Sequence, residues 1–467
     1  MIETRRLGHT VLDRRVPPCP RTISSCFSVN SQQACVVDAP DLPRQRGSEN
    51  DERLPLRPLL AEAALVTVTC ADCGSTQRVP PLPQGGTAQC HRCDRELART
   101  TGVGGLDLTL ACAVAMFLLL PPAVFLPLMD STIRHLVYDE SRLVSSVPVI
   151  YSQVWFPFAF GFLFFAFLFP AIRAMLLIVS LGSLRAGWKV PQRGRIFRWS
   201  EELRIWSMTE VVVLSGIIAY LRADISADVA VRAGAWSYVA VAGLAFIVDR
   251  TLDRRTIWNA ILPDTAVPPG TRVVSCSVCE LAVPDRATGD PCPRCGATLD
   301  HNISHLFAPA LGAIAAAIPL AFPAYSASII VNDQIAGVLE HTVIGTVQLL
   351  AERGFWEGSV VILIAGVFIP IAELAGLLWL LATVRFPSKR GLVLRTRVYR
   401  VLHRLVRWPM VIPFIAALAA PIVDFRGIDD IVAGPGATPL FLLIALMMLA
   451  VRLFEPRMMW KTAGEIA

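Results

Sequence analysis

The sequence has few charged residues for its length. Asp, Glu, Lys and Arg make up 17% of its 467 residues, whereas 54% are hydrophobic and the mean hydropathy is +0.54. Soluble globular domains carry about 25% charged residues, so this balance excludes an ordinary soluble protein of this size. Apolar runs long enough to cross a bilayer recur along the chain. The composition therefore predicts a polytopic membrane protein.

Motifs of the common enzyme classes are also missing. The sequence contains no HExxH motif, no nucleophile elbow and no phosphate-binding loop. Those motifs supply the metal ligands, the activated nucleophile or the phosphate-binding amides of their enzymes. We therefore predict that the protein is not an enzyme.

The first part of the chain lacks an apolar core. Residues 1–65 are rich in arginine, proline and serine and show no sustained periodicity. Such a segment cannot bury enough apolar surface to fold alone, so we expect a disordered leader. No cleavable signal peptide is visible, and we expect the amino terminus to stay in the cytoplasm.

Cysteines, by contrast, follow a regular pattern. Four Cys-x-x-Cys knuckles form two pairs, with 16 residues between the knuckles of the first pair and 12 in the second. The two sets are Cys70, Cys73, Cys90 and Cys93, and Cys276, Cys279, Cys292 and Cys295. Four thiolates at this spacing can surround one ion tetrahedrally at a Zn–S distance of about 2.3 Å.

This pattern predicts two zinc ribbons, at residues 66–100 and 270–300, with two zinc ions per chain. The alternatives are two disulfides per module in an oxidising compartment, or redox-active dithiols. Neither alternative explains why the knuckles are paired twice, with Pro293 and Gly296 placed to turn the backbone so that amides face the thiolates. The remaining cysteines fit no such pattern and are expected to be incidental: Cys19, Cys26, Cys35 and Cys112.

Apolar runs follow each ribbon in the same order. They cover residues 106–129, 153–181, 207–221 and 234–250, and then 307–330, 358–384, 409–423 and 438–454. Landmarks recur about two hundred residues apart, such as Pro170 with Pro370 and Trp258 with Trp460. We predict an all-α polytopic protein in which a four-cysteine ribbon followed by four transmembrane helices occurs twice. The eight helices form units at 105–260 and 305–462, and repeated halves are common in transporters.

The charges give this arrangement a direction. In each half, the loop between the second and third spans is rich in arginine, at residues 185–204 and 385–407, whereas the loops at the other end are acidic or balanced. The positive-inside rule predicts that the basic loops, both ribbons and both termini face the cytoplasm. We expect the basic loops to set topology and contact anionic membrane lipids rather than nucleic acid.

Several short motifs occur in the ribbons and spans. They are a ribbon end at Cys292–Leu299, a first-span motif at Pro122–Pro127, a proline followed by a basic residue at Pro170 and Arg173, a third-span motif at Trp206–Glu210, and closing motifs at Asp253–Trp258 and Glu455–Trp460. Together these motifs resemble those of the paraquat-inducible protein A family, and the resemblance covers about residues 66–462.

The resemblance implies a multi-pass protein of the bacterial inner membrane that belongs to an intermembrane lipid transport system. Its implied partner is a periplasmic tunnel protein of the mammalian cell entry (MCE) type, and its implied role includes envelope integrity and stress resistance. The sequence departs from the family pattern at Val124, where asparagine is usual, at Glu373, where a basic residue is usual, and at Arg407–Ile412, which lacks the serine and the acidic residue. These departures concern the polar mechanism rather than the architecture.

Three ionisable residues fall within predicted spans: Arg173, Glu210 and Glu373. A charge near the bilayer centre costs about 2.5–3.5 kcal/mol on insertion scales, so such side chains usually face a bundle interior or a wet cavity. They either line a transport path or are structural, as in an Arg173–Glu210 ion pair or a snorkelling arginine. We expect Arg173 and Glu373, each three residues after a proline, to point into their own four-helix units.

Six prolines in the spans are candidate hinges, because each removes a backbone hydrogen bond. They are Pro122, Pro127, Pro170, Pro319, Pro323 and Pro370. His301 and His305 follow the second ribbon and could bind metal, but we expect them at the headgroup level because four cysteines already close that site.

Two classes of function fit these features. The protein is either the membrane subunit of a lipid transport system or a zinc-ribbon membrane scaffold or stress sensor that recruits cytoplasmic proteins and moves nothing. The family resemblance favours the first.

Overall fold

The computed structural model describes residues 25–29, 32–37, 66–79, 86–99, 105–133, 137–145, 147, 156–223, 228–264, 273–284, 289–299, 306–334, 337–415, 418 and 429–464. Within residues 1–65, it describes strands β1 (Ser25–Val29) and β2 (Gln32–Val37), which form an antiparallel hairpin. The rest of the predicted leader lies outside the described residues.

The first half begins with the strands of its ribbon, which are β3 (Val66–Thr69), β4 (Thr76–Val79), β5 (Thr87–Gln89) and β6 (Glu96–Arg99). Helices and three further strands follow: α1 (Gly105–Phe125), β7 (Pro127–Ile133), β8 (Val137–Arg142), α2 (Phe156–Leu163), α3 (Phe169–Arg185), α4 (Arg193–Trp206), α5 (Thr209–Ala223), β9 (Asp228–Val231), α6 (Ala233–Thr251) and α7 (Arg254–Ile261). Strand β2 also pairs with β5, so the hairpin joins the first ribbon.

The second half repeats this order. Its elements are β10 (Val273–Ser275), β11 (Ala282–Pro284), α8 (Phe307–Ser326), β12 (Ile330–Gln334), β13 (Gly337–His341), α9 (Val343–Glu352), α10 (Trp356–Leu363), α11 (Ile369–Arg385), α12 (Leu392–Leu405), a 3₁₀ turn at Trp408–Met410, β14 (Asp429–Ala433), α13 (Ala437–Leu453) and α14 (Arg457–Thr462). The predicted duplication of a ribbon and a helical unit is confirmed.

Most of the described residues of each predicted span are helical. Among the described residues, five helical segments are long and apolar enough to cross a bilayer: 105–125, 159–185, 193–221, 307–326 and 356–385. Helices α6 and α7, bent by 66°, make a sixth if they count as one span. Helix α13 is shorter, with 17 residues, and only 408–415 and 418 of the seventh predicted span are described. The chain is a multi-pass membrane protein.

Each half also contains a small antiparallel sheet that the sequence analysis did not predict. The strand orders are β8-β7-β9 and β13-β12-β14, so each sheet joins the loop after the first span to the strand before the fourth. The pairing is distant in sequence, for example Met129 with Val231, and local patterning cannot reveal it. Pro127 is therefore the first residue of a strand rather than a hinge within the first span.

A widened turn interrupts the second span at the same place in both halves. Residues Phe164–Leu168 and Ile364–Phe368 form π-helical turns, and Pro170 and Pro370 follow them. Because proline has no N–H, the carbonyl four residues earlier loses its ordinary helical donor. These carbonyls belong to Ala166 and Gly366.

Tyrosines from neighbouring helices bond both carbonyls. The Tyr238 hydroxyl donates to the Ala166 carbonyl at 2.7 Å, and the Tyr325 hydroxyl donates to the Gly366 carbonyl at 2.7 Å. A polar group freed within a membrane must find a partner in the protein, and these tyrosines supply it. Tyr238 comes from the fourth span of its half, whereas Tyr325 comes from the first span of the other half. The two repeats therefore use different helices to supply the hydrogen-bond donor for the freed carbonyl.

We predict that Tyr238→Phe and Tyr325→Phe each lower the free energy of unfolding by about 1 kcal/mol, since each leaves a buried carbonyl without a donor. Unfolding of the purified protein in detergent, induced by increasing SDS, measures the change. Tyr220→Phe is the control, because its hydroxyl makes no hydrogen bond within the described part of the chain. Equal stability of all three variants would rule out a structural role for these hydrogen bonds.

Candidate metal centres

The four knuckles of the two ribbons share one backbone turn. In each, the residue after the second cysteine has a left-handed conformation: φ is 68° at Gly74, 57° at Asp94, 59° at Glu280 and 66° at Gly296. The N–H of that residue donates to the carbonyl of the first cysteine, as from Gly296 to Cys292 at 2.8 Å. This turn brings the two cysteines of a knuckle to one side, and antiparallel strands hold the knuckles of the first ribbon in place.

The sulfurs gather into two compact groups. In the first ribbon, Cys70 and Cys93 Sγ lie 3.5 Å apart and Cys73 and Cys90 Sγ lie 3.6 Å apart. The second ribbon repeats these distances with Cys276 and Cys295, and with Cys279 and Cys292. All four sulfurs of each group lie within 4.8 Å of one another and are buried.

These separations suit a shared metal ion. Four sulfurs about 2.3 Å from a tetrahedral ion lie about 3.8 Å from one another. A disulfide would need an S–S distance of about 2.05 Å, so the sulfurs are not disulfide-bonded. Each cluster therefore can hold one metal ion.

Hydrogen bonds among the sulfurs shift the pKa values of the cysteines in opposite directions, and they raise the pKa of Cys73 and Cys279. Hydrogen bonds from Cys70 and the other two cysteines lower the pKa of Cys90, and those from Cys276 and its neighbours lower the pKa of Cys292. The Gln77 side-chain amide also donates to Cys90 Sγ at 2.8 Å. Such outer contacts fix the orientation of the ligands.

The first ribbon packs against helices of the second half. Arg400 on α12 donates to Asp72 at 2.6 Å and to the Cys93 carbonyl at 2.8 Å. Arg397, one turn earlier, pairs with Asp94 at 2.7 Å. In addition, the Arg92 guanidinium lies 4.6 Å from the ring centroid of Trp460 on α14.

The second ribbon packs against the first half in the corresponding way. Arg294 donates to Asp264 at 2.7 Å and to Asn259 at 3.3 Å, both in the α7 region. The backbone at Gly194 on α4 approaches so closely that a Cβ there would lie 1.7 Å from the Arg294 carbonyl oxygen. Gly296 lies against the Arg195 side chain.

The two contacts are related by the repeat. Arg195 and Arg397 occupy matching places, 202 residues apart, and so do Gly296 and Asp94, which they contact. Each ribbon thus packs against the helical unit of the opposite half. We call this arrangement the crossed ribbons.

Two arginines connect the ribbons directly. Arg457 on α14 donates from Nε to the Ala71 carbonyl at 2.8 Å and from Nη1 to Ser275 Oγ at 3.0 Å, so it bonds both ribbons. Arg95 of the first ribbon pairs with Asp72 and, at 3.2 Å, with Glu280 of the second. Burial raises the pKa of Glu280, and Arg95 opposes that shift.

The intramembrane residues have partners that the sequence analysis did not identify. Arg173 is buried and pairs with Asp249, at the end of α6. Glu210 pairs instead with Arg407 of the second half at 2.9 Å. The alternative of an Arg173–Glu210 ion pair was therefore wrong. Asp249 is an acidic residue at the end of the fourth span, and that position was the available signal for it.

Glu373 is buried as deeply as Arg173, in the matching place of the second half. Neither of its carboxylate oxygens has a hydrogen-bond partner among the described residues. A buried carboxyl group without a partner is unfavourable unless it is neutral or meets a bound group. Both side chains are buried, with exposures of 2% for Arg173 and 1% for Glu373.

The remaining predicted residues are distributed as follows. Pro122, together with Pro121, lies inside α1, and Pro319 and Pro323 lie inside α8. Pro170 and Pro370 adjoin the π turns described above. His301 and His305 lie outside the described residues.

These features define a class of multi-pass membrane protein whose halves each combine a four-cysteine ribbon with a proline-interrupted helical unit. The chain belongs to the paraquat-inducible protein A family, whose model matches residues 106–261 and 308–464. The two matched segments are the two helical units. The family resemblance seen in the sequence is thus confirmed.

Curated relatives extend over most of the chain. Intermembrane transport protein PqiA of Escherichia coli K12 is 24% identical over 407 residues, which cover 85% of this chain and 96% of the relative. Lipophilic envelope-spanning tunnel protein A of the same strain is 23% identical over 403 residues, covering 84% of this chain and 90% of the relative. A probable intermembrane transport protein of Haemophilus influenzae is 22% identical over 406 residues, covering 84% and 95%. No solved structure matches the chain.

We predict that Arg457→Ala accelerates metal release from both ribbons by about tenfold, because losing a buried donor costs about 1–3 kcal/mol. The rate is measured with a chromogenic chelator added to the purified protein. Arg452→Ala is the control, because Arg452 lies on the preceding helix and, among the described residues, makes only a partly exposed ion pair, 3.8 Å long, with Glu202. If either ribbon of the variant released its metal at the wild-type rate, Arg457 would not stabilise both ribbons.

Proposed function

We propose that this protein is the inner-membrane component of an intermembrane lipid transport system, which passes lipid to or from a periplasmic tunnel protein of the MCE type. The observation that carries the proposal is the match to intermembrane transport protein PqiA, which extends over 96% of that relative. In this role the protein contributes to envelope integrity and stress resistance, and it performs no catalysis.

The proposed orientation follows from the charges. The arginine-rich helices α4 and α12 contact the ribbons, so the ribbons and both termini face the cytoplasm by the positive-inside rule. The two three-stranded sheets then lie at the periplasmic end, where a tunnel protein would contact the membrane subunit. Asp130, in the first of these sheets, is buried and pairs with Arg232.

The crossed ribbons support transport over a scaffold role. Both ribbons use their knuckles to contact the chain itself, through Asp72 and Asp94 in the first and Arg294 in the second. A scaffold that recruits cytoplasmic proteins through its ribbons would need these surfaces free. The contacts instead join the two halves that a transporter moves against each other.

Zinc is the proposed metal of both clusters, since four thiolates in a closed tetrahedral set are a structural zinc site. We predict two zinc ions per chain by elemental analysis of the purified protein, and one after Cys276→Ser with Cys279→Ser. Protein without zinc, and with its thiols paired as disulfides, would contradict this assignment.

The polar side chains of the second spans are the proposed lining of the lipid path. Arg173 and Glu373 lie at matching depths, each three residues after the proline that follows a π turn. Arg173 is neutralised by Asp249, whereas Glu373 has no described partner and can meet a polar headgroup. The two halves therefore offer different polar surfaces.

We predict that Arg173→Ala and Glu373→Ala leave expression and zinc content intact and abolish resistance to envelope stress in a strain that lacks the native protein. Glu357→Ala, an exposed acidic position at the start of the same span as Glu373, is the control and should retain resistance. Poor insertion or degradation of both variants would indicate a structural role instead. Normal resistance with normal expression would exclude both roles.

Purification in detergent followed by mass spectrometry of copurifying protein and lipid tests the proposed function itself. Copurification of phospholipid with a periplasmic tunnel protein supports it. Recovery of cytoplasmic proteins on the ribbons, without lipid or tunnel protein, would favour the scaffold.

A further inference from the structure

A cavity of about 710 Å³ opens at the ribbon end of the first half. It lies between the start of α1, the loop from α3 to α4, helix α7 and the second knuckle of the second ribbon. This volume is within the range of about 300–1,000 Å³ that is usual for small-molecule sites. The cavity is formed by four separate parts of the fold and is not a feature of one loop.

One side of the cavity is apolar and lies at the ends of the membrane spans. Leu106 is the second residue of α1 and Leu184 is the penultimate residue of α3, so both mark the edge of the apolar layer. Ile257 and Ile261 come from α7, which is bent by 66° from the span before it. Because α7 turns this far from the span, we infer that it lies along the membrane surface.

The other side is cationic. Lys189, Arg193 and Arg294 line the cavity, and none of the lining residues is acidic. Arg294 pairs with Asp264 at 2.7 Å, and it shares that carboxylate with Arg255, which lies 2.9 Å away. The cavity wall therefore carries a net positive charge.

Lys189 and Arg193 have no acidic partner in the part of the chain that the structure describes. Arg193 donates only to backbone carbonyls, those of Trp188 and, at 3.4 Å, Ser183. Its Nε is buried and has no partner, and the same holds for Nε of Arg294, whose side chain is 2% exposed. Arg193 also begins α4, whose first N–H groups add partial positive charge.

A phosphate-bearing lipid fits this division. Its headgroup would meet the cations and the unpartnered N–H groups, while its acyl chains would leave along the apolar side into the membrane. Trp188, 70% exposed beside Lys189, is the residue type that anchors proteins at the membrane interface. A free anion would use only the cationic side.

We propose that this cavity binds the headgroup of an anionic phospholipid from the leaflet on the ribbon side, held by Lys189 and Arg193. The site joins the second ribbon to the membrane, because Pro293 and Arg294 of its knuckle complete the wall. It is a lipid-binding site whether or not the protein transports lipid, so failure of the transport proposal leaves it unaffected.

Binding is tested on the full chain in a nonionic detergent with short-chain dihexanoyl phosphatidylglycerol, by thermophoresis. We expect Lys189→Gln to weaken binding about fivefold, equivalent to about 1 kcal/mol, the usual contribution of one Lys or Arg near anionic lipid. Arg193→Gln should have at least this effect. Ala260→Phe, at an exposed position on α7, should weaken binding by filling the cavity without altering charge.

The matched control is Lys389→Gln, which removes the same charge from the corresponding loop of the second half, outside the cavity. It should bind phosphatidylglycerol as the wild type does. If Lys189→Gln and Lys389→Gln weakened phosphatidylglycerol binding equally, general surface charge would explain the effect and the proposed site would be wrong. Unchanged binding in both Lys189→Gln and Ala260→Phe would also overturn it.

Inorganic phosphate distinguishes the source of the anion. We expect it to compete with phosphatidylglycerol only at concentrations at least a hundredfold higher, because it leaves the apolar side of the cavity empty. Competition at equal concentration would assign the site to a free anion and overturn the lipid proposal. Zinc content, measured for every variant, confirms that the adjoining ribbon is folded.

Discussion

Arg457 lies at the point where the two ribbons and the second helical unit meet. Its Nε bonds to Ala71 of the first ribbon and its Nη1 to Ser275 of the second. Nε and Nη1 have these partners only when both ribbons are in place, and a buried guanidinium is costly when its donors are unpaired. Each ribbon depends in turn on its four cysteines, whose arrangement a bound metal would fix. The first ribbon packs on the second helical unit and the second ribbon packs on the first. Metal binding is thereby coupled to the contacts that hold the two halves together.

The second spans show both what the repeats share and where they differ. Both have a π turn and a proline, and in both a tyrosine hydroxyl bonds the carbonyl that the proline frees. The tyrosines come from different helices, and the ionisable residues have opposite charge: Arg173 paired with Asp249, and Glu373 without a described partner. Both repeats thus keep the π turn and its proline, whereas the ionisable groups beside them differ. This pattern is expected of halves that keep one mechanical framework but present different surfaces to a passing polar group.

Local patterns in the sequence predicted the features that depend on local chemistry. The Cys-x-x-Cys spacing identified all eight cysteines of the two clusters, and apolar runs identified the membrane spans, because thiolate geometry and span length are encoded within short segments. The arginine-rich segments that were predicted as loops instead contain helices α4 and α12. The crossed ribbons, the β7 and β12 sheets and the partners of Arg173 and Glu210 were not predicted. Each depends on pairing between residues far apart, as between Asp94 and Arg397, which periodicity in one segment cannot specify. Trp460 was recognised as a repeat landmark and Arg457 lies in a closing motif, but their contacts with the first ribbon were not predicted.

Zero-length crosslinking tests the crossed ribbons most directly. In an Arg397→Lys variant, a carbodiimide should join the new amine to the carboxylate of Asp94, because the two side chains are in contact across 2.7 Å. Mass spectrometry of the digested protein should then find peptides joined at positions 94 and 397. Arg195→Lys places an amine at the matching position of the first half, where an uncrossed first ribbon would lie. The account predicts the 94–397 crosslink and no 94–195 crosslink, whereas a 94–195 crosslink without the other would show that each ribbon packs on its own half.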